Sequence, residues 1–169
     1  MAAPSPVARP KRALADLRLE LSGSAAARRD APPRRQLRLW AQSALGRRAR
    51  GAELALRIVG TAESRRLNRH YRGKDKPTNV LSFPVPKAFS RSFNGPERLL
   101  GDLVVCGAVL RREAREQCKT LRAHWAHLIV HGSLHLAGYD HERHDDARRM
   151  ERREVAILRQ LGFPNPYEQ

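Results

Sequence analysis

The chain has 169 residues, and its 33 lysines and arginines against 17 acids give a formal net charge of +16. A chain of this length can bury most of an apolar core without disulfides, so one domain is sufficient. The charge favours a polyanionic partner such as RNA, DNA or an anionic membrane surface, although the abundance of arginine and alanine is also consistent with genome composition.

The first half of the chain alternates strand and helix patterns. Residues 16–22 and 53–60 alternate apolar and charged side chains, which is the period of a strand with one wet face. Between them, the Pro32–Pro33 pair opens a helical pattern. Thr61 is predicted to cap a short helix over residues 62–71.

The second half begins with a basic turn over residues 72–79. The β-rich run that follows, residues 79–85, contains Pro84, and a proline places a strand at the edge of a sheet. After a predicted loop over residues 87–98, residues 99–107 form the most apolar strand and should lie centrally. Helices are then predicted over residues 108–119, 121–137 and 146–163.

Strands and helices thus alternate only partly along the chain. We therefore expect an α+β fold, a small mixed β-sheet of about four strands covered by helices. Residues 1–14, rich in alanine, proline and arginine, are predicted to form a flexible basic tail. Residues 15–169 are predicted to form a single domain.

Two further features predict a cytoplasmic protein. Cys106 and Cys118 are too few and too far apart for a disulfide framework, which favours a reducing compartment and two small core residues. The first residues lack the apolar stretch of a secretion signal, and no run approaches the roughly 18 apolar residues of a membrane span. We expect no membrane partner.

The stretch HGSLHLAGYDH, residues 131–141, spaces three histidines as HxxxHxxGxxH. On a helix, His131 and His135 lie one turn apart on the same face, about 6 Å from each other. Gly138 can adopt a positive φ and end the helix, which lets the chain return and bring His141 to the same point. Three imidazoles leave one tetrahedral position of a zinc ion open, as in catalytic sites. We predict one Zn²⁺ per chain, held by this helix and the turn after it.

Neighbouring side chains extend the constellation. His124 and His127 share a helical face with His131, so the helix presents a stripe of histidines. His127 is a candidate partner or alternative ligand, and the floor of the site or an ordinary buried imidazole is the competing interpretation. Asp140 could orient one of the imidazoles by accepting its N–H.

The histidine spacing is that of the metzincin proteases, but their general-base glutamate is replaced by Gly132. Peptide hydrolysis requires protonation of an amine leaving group, so a site without that residue should be a poor protease. Phosphoryl chemistry needs mainly charge stabilisation, and zinc lowers the pKa of a bound water to about 7. A site of this kind therefore suffices for phosphodiester cleavage. If the substrate is RNA, either a zinc-bound hydroxide or the 2′-OH of the RNA could attack, and hydroxide is the preferred hypothesis.

Several blocks resemble the YbeY family of bacterial endoribonucleases. They are LNRHYRGKDKPTNVLSFP at residues 67–84, GDLVVC at residues 101–106 and AHWAHLIVHGSLHLAGYDH at residues 123–141, and the resemblance covers roughly residues 54–167. It implies a single-strand-specific, metal-dependent endoribonuclease used in 16S rRNA 3′-end maturation and ribosome quality control. It also implies the small ribosomal subunit, its proteins and an assembly GTPase as partners.

The resemblance also assigns residues. The zinc ligands of the family fall on His131, His135 and His141, and its functional arginine falls on Arg72. The alternative function is a non-catalytic ribosome assembly factor with a structural zinc ion, and a metalloprotease ranks below both.

Arg72 stands in the turn RGKDKPTN together with Lys74 and Lys76. A guanidinium there could bind a phosphate with two hydrogen bonds while the lysines hold the neighbouring RNA backbone, so both lysines are tentative RNA-binding residues. Without the resemblance, a solvated basic turn that Asp75 partly neutralises is the preferred interpretation of the same residues.

Overall fold

The computed structural model describes residues 17–86, 89, 98–139 and 143–168. Four strands form one sheet: β1 (Arg18–Ser22), β2 (Ala52–Val59), β3 (Val80–Pro84) and β4 (Arg98–Cys106). Their order is β1-β2-β4-β3, with β1, β2 and β4 parallel and β3 antiparallel to β4. The predicted mixed sheet is confirmed, including the central position of β4 and the edge position of β3. The predicted basic tail and nearly all of the predicted loop over residues 87–98 lie outside the described residues.

Five helices lie in the described part of the chain. They are α1 (Arg34–Leu45), α2 (Thr61–Arg72), α3 (Gly107–Glu116), α4 (Leu121–Leu136) and α5 (His144–Gln160). The α+β prediction is therefore confirmed. The predicted cap at Thr61 is wrong, because Thr61 is the first helical residue and Gly60 occupies the cap position without a side-chain bond.

The sheet buries apolar side chains on both faces. One face carries the main core with α1, α4 and α5, and its strand residues are Leu19, Leu54, Leu56, Ile58, Val80, Leu103 and Val105. The other face carries a smaller cluster with Val109 of α3 and Leu67 of α2, and its strand residues are Val59, Leu81, Val104 and Cys106. Helices α2 and α4 therefore lie on opposite faces of the sheet.

Helix α4 is the central helix of the fold. Its Trp125, Ile129 and Leu134 are fully buried, and Thr120 caps its start by accepting the Ala123 N–H at 3.2 Å. A helix that is apolar on most sides belongs in a core. The position of α4 within the core fixes where its histidines lie.

The backbone of α4 approaches the sheet most closely at Gly132. A β-carbon there would lie 2.9 Å from Leu103 Cδ2 and 3.3 Å from Ser82 Oγ and Val80 Cγ2. The Ser82 hydroxyl also reaches the Gly132 carbonyl at 3.3 Å. Position 132 therefore faces the sheet, and packing disfavours a side chain as long as glutamate there, whatever the substrate.

We expect Gly132→Glu to destabilise the fold by several kcal/mol, because it forces a carboxylate into a space that holds only a hydrogen atom. Gly132→Ala should be close to neutral, since the gain in helix propensity of about 1 kcal/mol offsets much of the overpacking. Urea unfolding measures both variants. A Gly132→Glu protein as stable as the unmodified chain would contradict this packing.

The two cysteines differ in environment. Cys106 is buried at the end of β4, as predicted, whereas Cys118 is exposed, so its predicted place in the core is wrong. Cys118 lies in the turn between α3 and α4 with a φ of +52°, and a turn at the surface carries its side chain away from the core. No helix among the residues described is long and apolar enough to cross a membrane.

Candidate active site

His131 and His135 form the centre of the site on α4. Their Nε2 atoms lie 3.1 Å apart, and both side chains are partly exposed. One helical turn separates the two residues, so the geometry follows from the spacing in the sequence. The structure thus brings together two of the three predicted zinc ligands.

The end of α4 fixes the chain just beyond His135. Gly138 has a φ of +93°, the Tyr139 N–H donates to the Leu134 carbonyl at 3.0 Å, and the Gly138 N–H donates to the His135 carbonyl at 2.9 Å. This is the Schellman arrangement that a glycine after the helix makes possible. The predicted helix end is confirmed. His141 and Asp140, the third predicted ligand and a tentative orienting residue, lie outside the described residues.

Each imidazole has a partner at Nδ1. His131 Nδ1 lies 2.5 Å from Glu154 Oε1, and His135 Nδ1 lies 3.0 Å from the Tyr139 carbonyl oxygen. An Nδ1–H that donates to an oxygen leaves the lone pair of a neutral imidazole on Nε2. The Nε2 atoms of the two rings face each other on the opposite side of the imidazoles.

Glu154 of α5 is the residue that the sequence analysis missed. It is 0% exposed, although the neighbouring charged residues of α5, Glu151, Arg152 and Arg153, are exposed. A signal was present, because Glu154 stands between Met150 and Leu158 at four-residue spacing, in the apolar stripe of the helix. A carboxylate in such a stripe is rarely buried without partners.

The partners of Glu154 come from three parts of the chain. The Tyr167 hydroxyl donates to Oε2, His131 contacts Oε1, and His127 Nε2 lies 3.7 Å from Oε2. Burial alone would raise the pKa of the Glu154 carboxyl, but these interactions outweigh it and hold the pKa at about 2. Burial, together with the carboxylate, raises the pKa of the Tyr167 hydroxyl far above its usual range, so this hydroxyl remains a donor.

His127, His131 and Glu154 each offer a ligand atom within 4.8 Å of the others, so these three residues could hold a metal ion. This group shares only His131 with the predicted ligand set. It also contains His127, the predicted candidate partner or alternative ligand. His124, the other member of the predicted histidine stripe, instead points its Nε2 at Glu113, 2.8 Å away.

The basic turn lies at the end of α2. Arg72 is the last residue of this helix, and Arg72, Lys74 and Lys76 are all exposed. The predicted neutralising partner, Asp75, instead forms a two-bond ion pair with Arg65 at 2.9 and 2.8 Å. Within the described part of the chain no acid pairs with Arg72 or the two lysines, so their charges are available to a ligand.

A short series of contacts links the end of α2 to the histidines. Tyr71, next to Arg72, makes an edge-on ring contact with Phe83 at 4.8 Å. The preceding residue, Ser82, contacts Gly132 on the other face of the sheet. Helices α2 and α4 therefore contact neighbouring residues of β3 from opposite faces of the sheet, and the outer edge of β3 is unpaired in the described structure.

Glu113 of α3 fixes the other end of the basic turn. Its carboxylate accepts from Asn79 at 3.2 and 3.3 Å and from His124 at 2.8 Å. Burial alone would raise the pKa of the Glu113 carboxyl, but the hydrogen bonds from His124 and Asn79 outweigh burial and lower the pKa below its ordinary value of 4.5. The ionised carboxylate therefore joins the turn, α3 and α4.

We expect Glu113→Gln to lower stability at neutral pH by about 1 to 3 kcal/mol, because hydrogen bonds to a charged group are lost. A lowered folded-state pKa gives stability that is present above the unfolded-state pKa and is lost as the pH falls through the folded-state value. The variant should therefore lose less stability than the unmodified chain on acidification. Urea unfolding at several pH values measures this, with the exposed Glu116→Gln as a control. Parallel pH profiles for all three proteins would contradict it.

The fold and site together define a class of protein: an α+β domain with a histidine and carboxylate cluster suited to a divalent cation, and an exposed basic turn beyond the sheet edge. A family model described as Endoribonuclease YbeY matches residues 28–162. This chain belongs to the YbeY family of endoribonucleases.

Two similar proteins extend the comparison. The Endoribonuclease YbeY of Halorhodospira halophila (strain DSM 244 / SL1) is 49% identical over 153 residues, which are 89% of this chain and 97% of that protein. The solution structure of TM1509 from Thermotoga maritima covers 89% of this chain and 99% of its own at 21% identity, with a TM-score of 0.51. This second likeness concerns the fold alone. The resemblance to the YbeY family is thus confirmed over most of the chain.

Proposed function

We propose that this endoribonuclease hydrolyses phosphodiester bonds of single-stranded RNA in a metal-dependent reaction. His131, His135 and His141 are its zinc ligands, and Arg72 binds the phosphate. The observation that carries the proposal is the histidine pair, whose Nε2 atoms face each other at 3.1 Å while both Nδ1 atoms are already engaged. Two imidazoles held in this way are ready to share a cation.

The donor set fits zinc. Two nitrogens on one tetrahedral zinc ion, each bound at 2.0–2.1 Å, are about 3.3 Å apart, close to the separation of the two Nε2 atoms. Imidazole also suits copper, iron and nickel, but zinc requires no redox chemistry. His141 is the proposed third ligand of one three-histidine site per chain.

When bound, zinc supplies Lewis-acid polarisation of the phosphate and activation of water. The chain provides the orientation and the remaining charge. The Arg72 guanidinium donates two parallel N–H groups to the non-bridging oxygens, where negative charge increases during cleavage. Lys74 and Lys76 bind neighbouring phosphates and so fix the position of the RNA strand relative to the site.

The position of β3 favours a single-stranded substrate. The edge strand β3 is contacted from one face by Tyr71 of α2, through Phe83, and from the other by Gly132 of α4, through Ser82. Single-stranded RNA can bend to follow the unpaired edge of this strand, whereas an A-form duplex is recognised mostly as a fixed shape.

We place the activity in 16S rRNA 3′-end maturation and ribosome quality control, in the cytoplasm. Family membership and the net charge of +16 support this proposal, since a strongly basic protein associates readily with ribosomal RNA. Small-subunit ribosomal proteins and an assembly GTPase are the proposed protein partners.

The test is cleavage of an end-labelled 16S rRNA 3′ precursor by the purified zinc-loaded protein. We expect cleavage of the single-stranded fragment, and none of the same sequence annealed to its complement. A deoxyribose at the scissile position should leave cleavage intact if water attacks and abolish it if the 2′-OH attacks. Equal cleavage of duplex and single strand would contradict the proposed specificity.

A further inference from the structure

The carboxylate of Glu154 is enclosed between α4, α5 and the C-terminal segment, residues 161–168. It is 0% exposed, and both of its oxygens are engaged, Oε1 with His131 Nδ1 at 2.5 Å and Oε2 with the Tyr167 hydroxyl. A buried carboxylate without partners is costly, so these contacts explain how the charge is tolerated.

Two roles are chemically open to this carboxylate. As a metal ligand it would share an ion with His127 and with Nδ1 of His131, which the 4.8 Å grouping permits. As a hydrogen-bond acceptor it would fix His131 for an ion bound at Nε2. The distances favour the second role. Oε1 and Nδ1 lie 2.5 Å apart, which is the distance of a short hydrogen bond. Two ligand atoms on one tetrahedral zinc ion would be farther apart, at roughly 3.3 Å.

The other nitrogen of His131 supports the same choice. Its Nε2 faces His135 Nε2 at 3.1 Å, so metal binding at Nδ1 would leave the histidine pair unused. A carboxylate that accepts Nδ1–H fixes the tautomer and orientation of a histidine ligand and raises its basicity. Glu154 has the position and the charge for this.

We propose that Glu154 is a positioning residue that holds His131 in the metal-binding orientation, and that Tyr167 holds Glu154 in turn. This inference rests on the zinc site of the proposed function. It makes the C-terminal segment part of the metal centre, about 30 residues along the chain from the histidine motif.

The contacts of the segment are consistent with that role. Lys119 donates to the Pro166 carbonyl and so ties the segment to the start of α4. The Tyr167 ring makes an edge-on contact with His127 at 5.5 Å between centroids. The contact at Pro166 and the ring contact with His127 therefore fix the position of Tyr167 next to Glu154.

The experiment compares metal binding by the full chain with that of three variants. Zn²⁺ affinity is measured by chelator competition, and coordination is followed by the visible absorption of the Co²⁺-loaded proteins. For Glu154→Gln we expect zinc affinity to fall about 10- to 100-fold, with the Co²⁺ spectrum unchanged at saturation. Tyr167→Phe should weaken affinity several-fold in the same direction. Glu151→Gln, an exposed carboxylate one turn earlier on α5, is the matched control and should bind normally.

Different results would overturn the inference in distinct ways. A Co²⁺ spectrum that changes at saturation in Glu154→Gln would make Glu154 a ligand, and unchanged zinc affinity would remove its positioning role. Tyr167→Phe, which retains Glu154 itself and removes only the hydroxyl that holds it, decides the question if Glu154→Gln does not fold. Failure of the unmodified chain to bind either metal would contradict the zinc site itself, whereas normal metal binding without RNA cleavage would contradict only the proposed function.

Discussion

Replacing His135 by alanine should give a folded protein that no longer retains zinc and cleaves RNA at least about 100-fold more slowly, since even the loss of an orienting partner costs 10- to 100-fold. The expected loss is large because one of the two facing Nε2 atoms disappears. The fold should survive, because His135 is only partly buried. Metal analysis of protein purified without a histidine tag, together with the cleavage assay, measures both effects.

His70→Ala is the matched control, since this histidine is exposed on α2 and lies outside the metal cluster. It should retain full zinc content and activity. Unchanged cleavage by the His135 variant would mean that a contaminating nuclease is responsible. Loss of zinc accompanied by unfolding would instead favour a structural metal ion.

Arg72→Glu should lower kcat/KM for RNA cleavage by about 10²- to 10³-fold, the usual effect of removing one preorganised charge-stabilising donor. Repulsion between the new carboxylate and phosphate adds to the loss. Zinc content and stability should not change, because Arg72 is exposed at the end of α2. Arg72→Lys keeps the charge but loses the paired N–H groups. Its kcat/KM should therefore lie between that of the unmodified chain and that of Arg72→Glu.

Arg66→Glu makes the same charge change on the same helix, at a side chain that is 75% exposed. It should lower the cleavage rate only slightly, because it weakens the nonspecific electrostatic attraction for RNA. Salt screens that attraction, so this small loss should disappear at higher salt. Equal losses of kcat/KM in the Arg66 and Arg72 variants would mean that Arg72 contributes only as a surface charge and has no specific role in the site. Full activity of Arg72→Glu would exclude it from the site.

The histidine pair was predictable because helix geometry alone decides it. His131 and His135 are four residues apart on one helix that ends at a glycine, so they lie together independently of the tertiary structure. The central position of β4 and the edge position of β3 were likewise predictable, from continuous apolar sequence and from proline. These features depend on local pattern.

Features that depend on tertiary contact were not predictable in the same way. The role of Glu154 requires α5 to lie beside α4, and the ion pair of Asp75 with Arg65 requires the turn to fold back on α2. The predicted cap at Thr61 failed because the choice between two adjacent residues as the helix start is beyond a propensity argument. Contacts between residues that are distant in the chain are difficult to predict from a single sequence.

The close approach of α4 to the sheet limits which catalytic groups this helix can carry. A glutamate at position 132 would meet Leu103, Ser82 and Val80 before it could reach the histidine pair. In this protein the residue after the first histidine thus belongs to the interior, and a general base for the site has to come from another part of the fold.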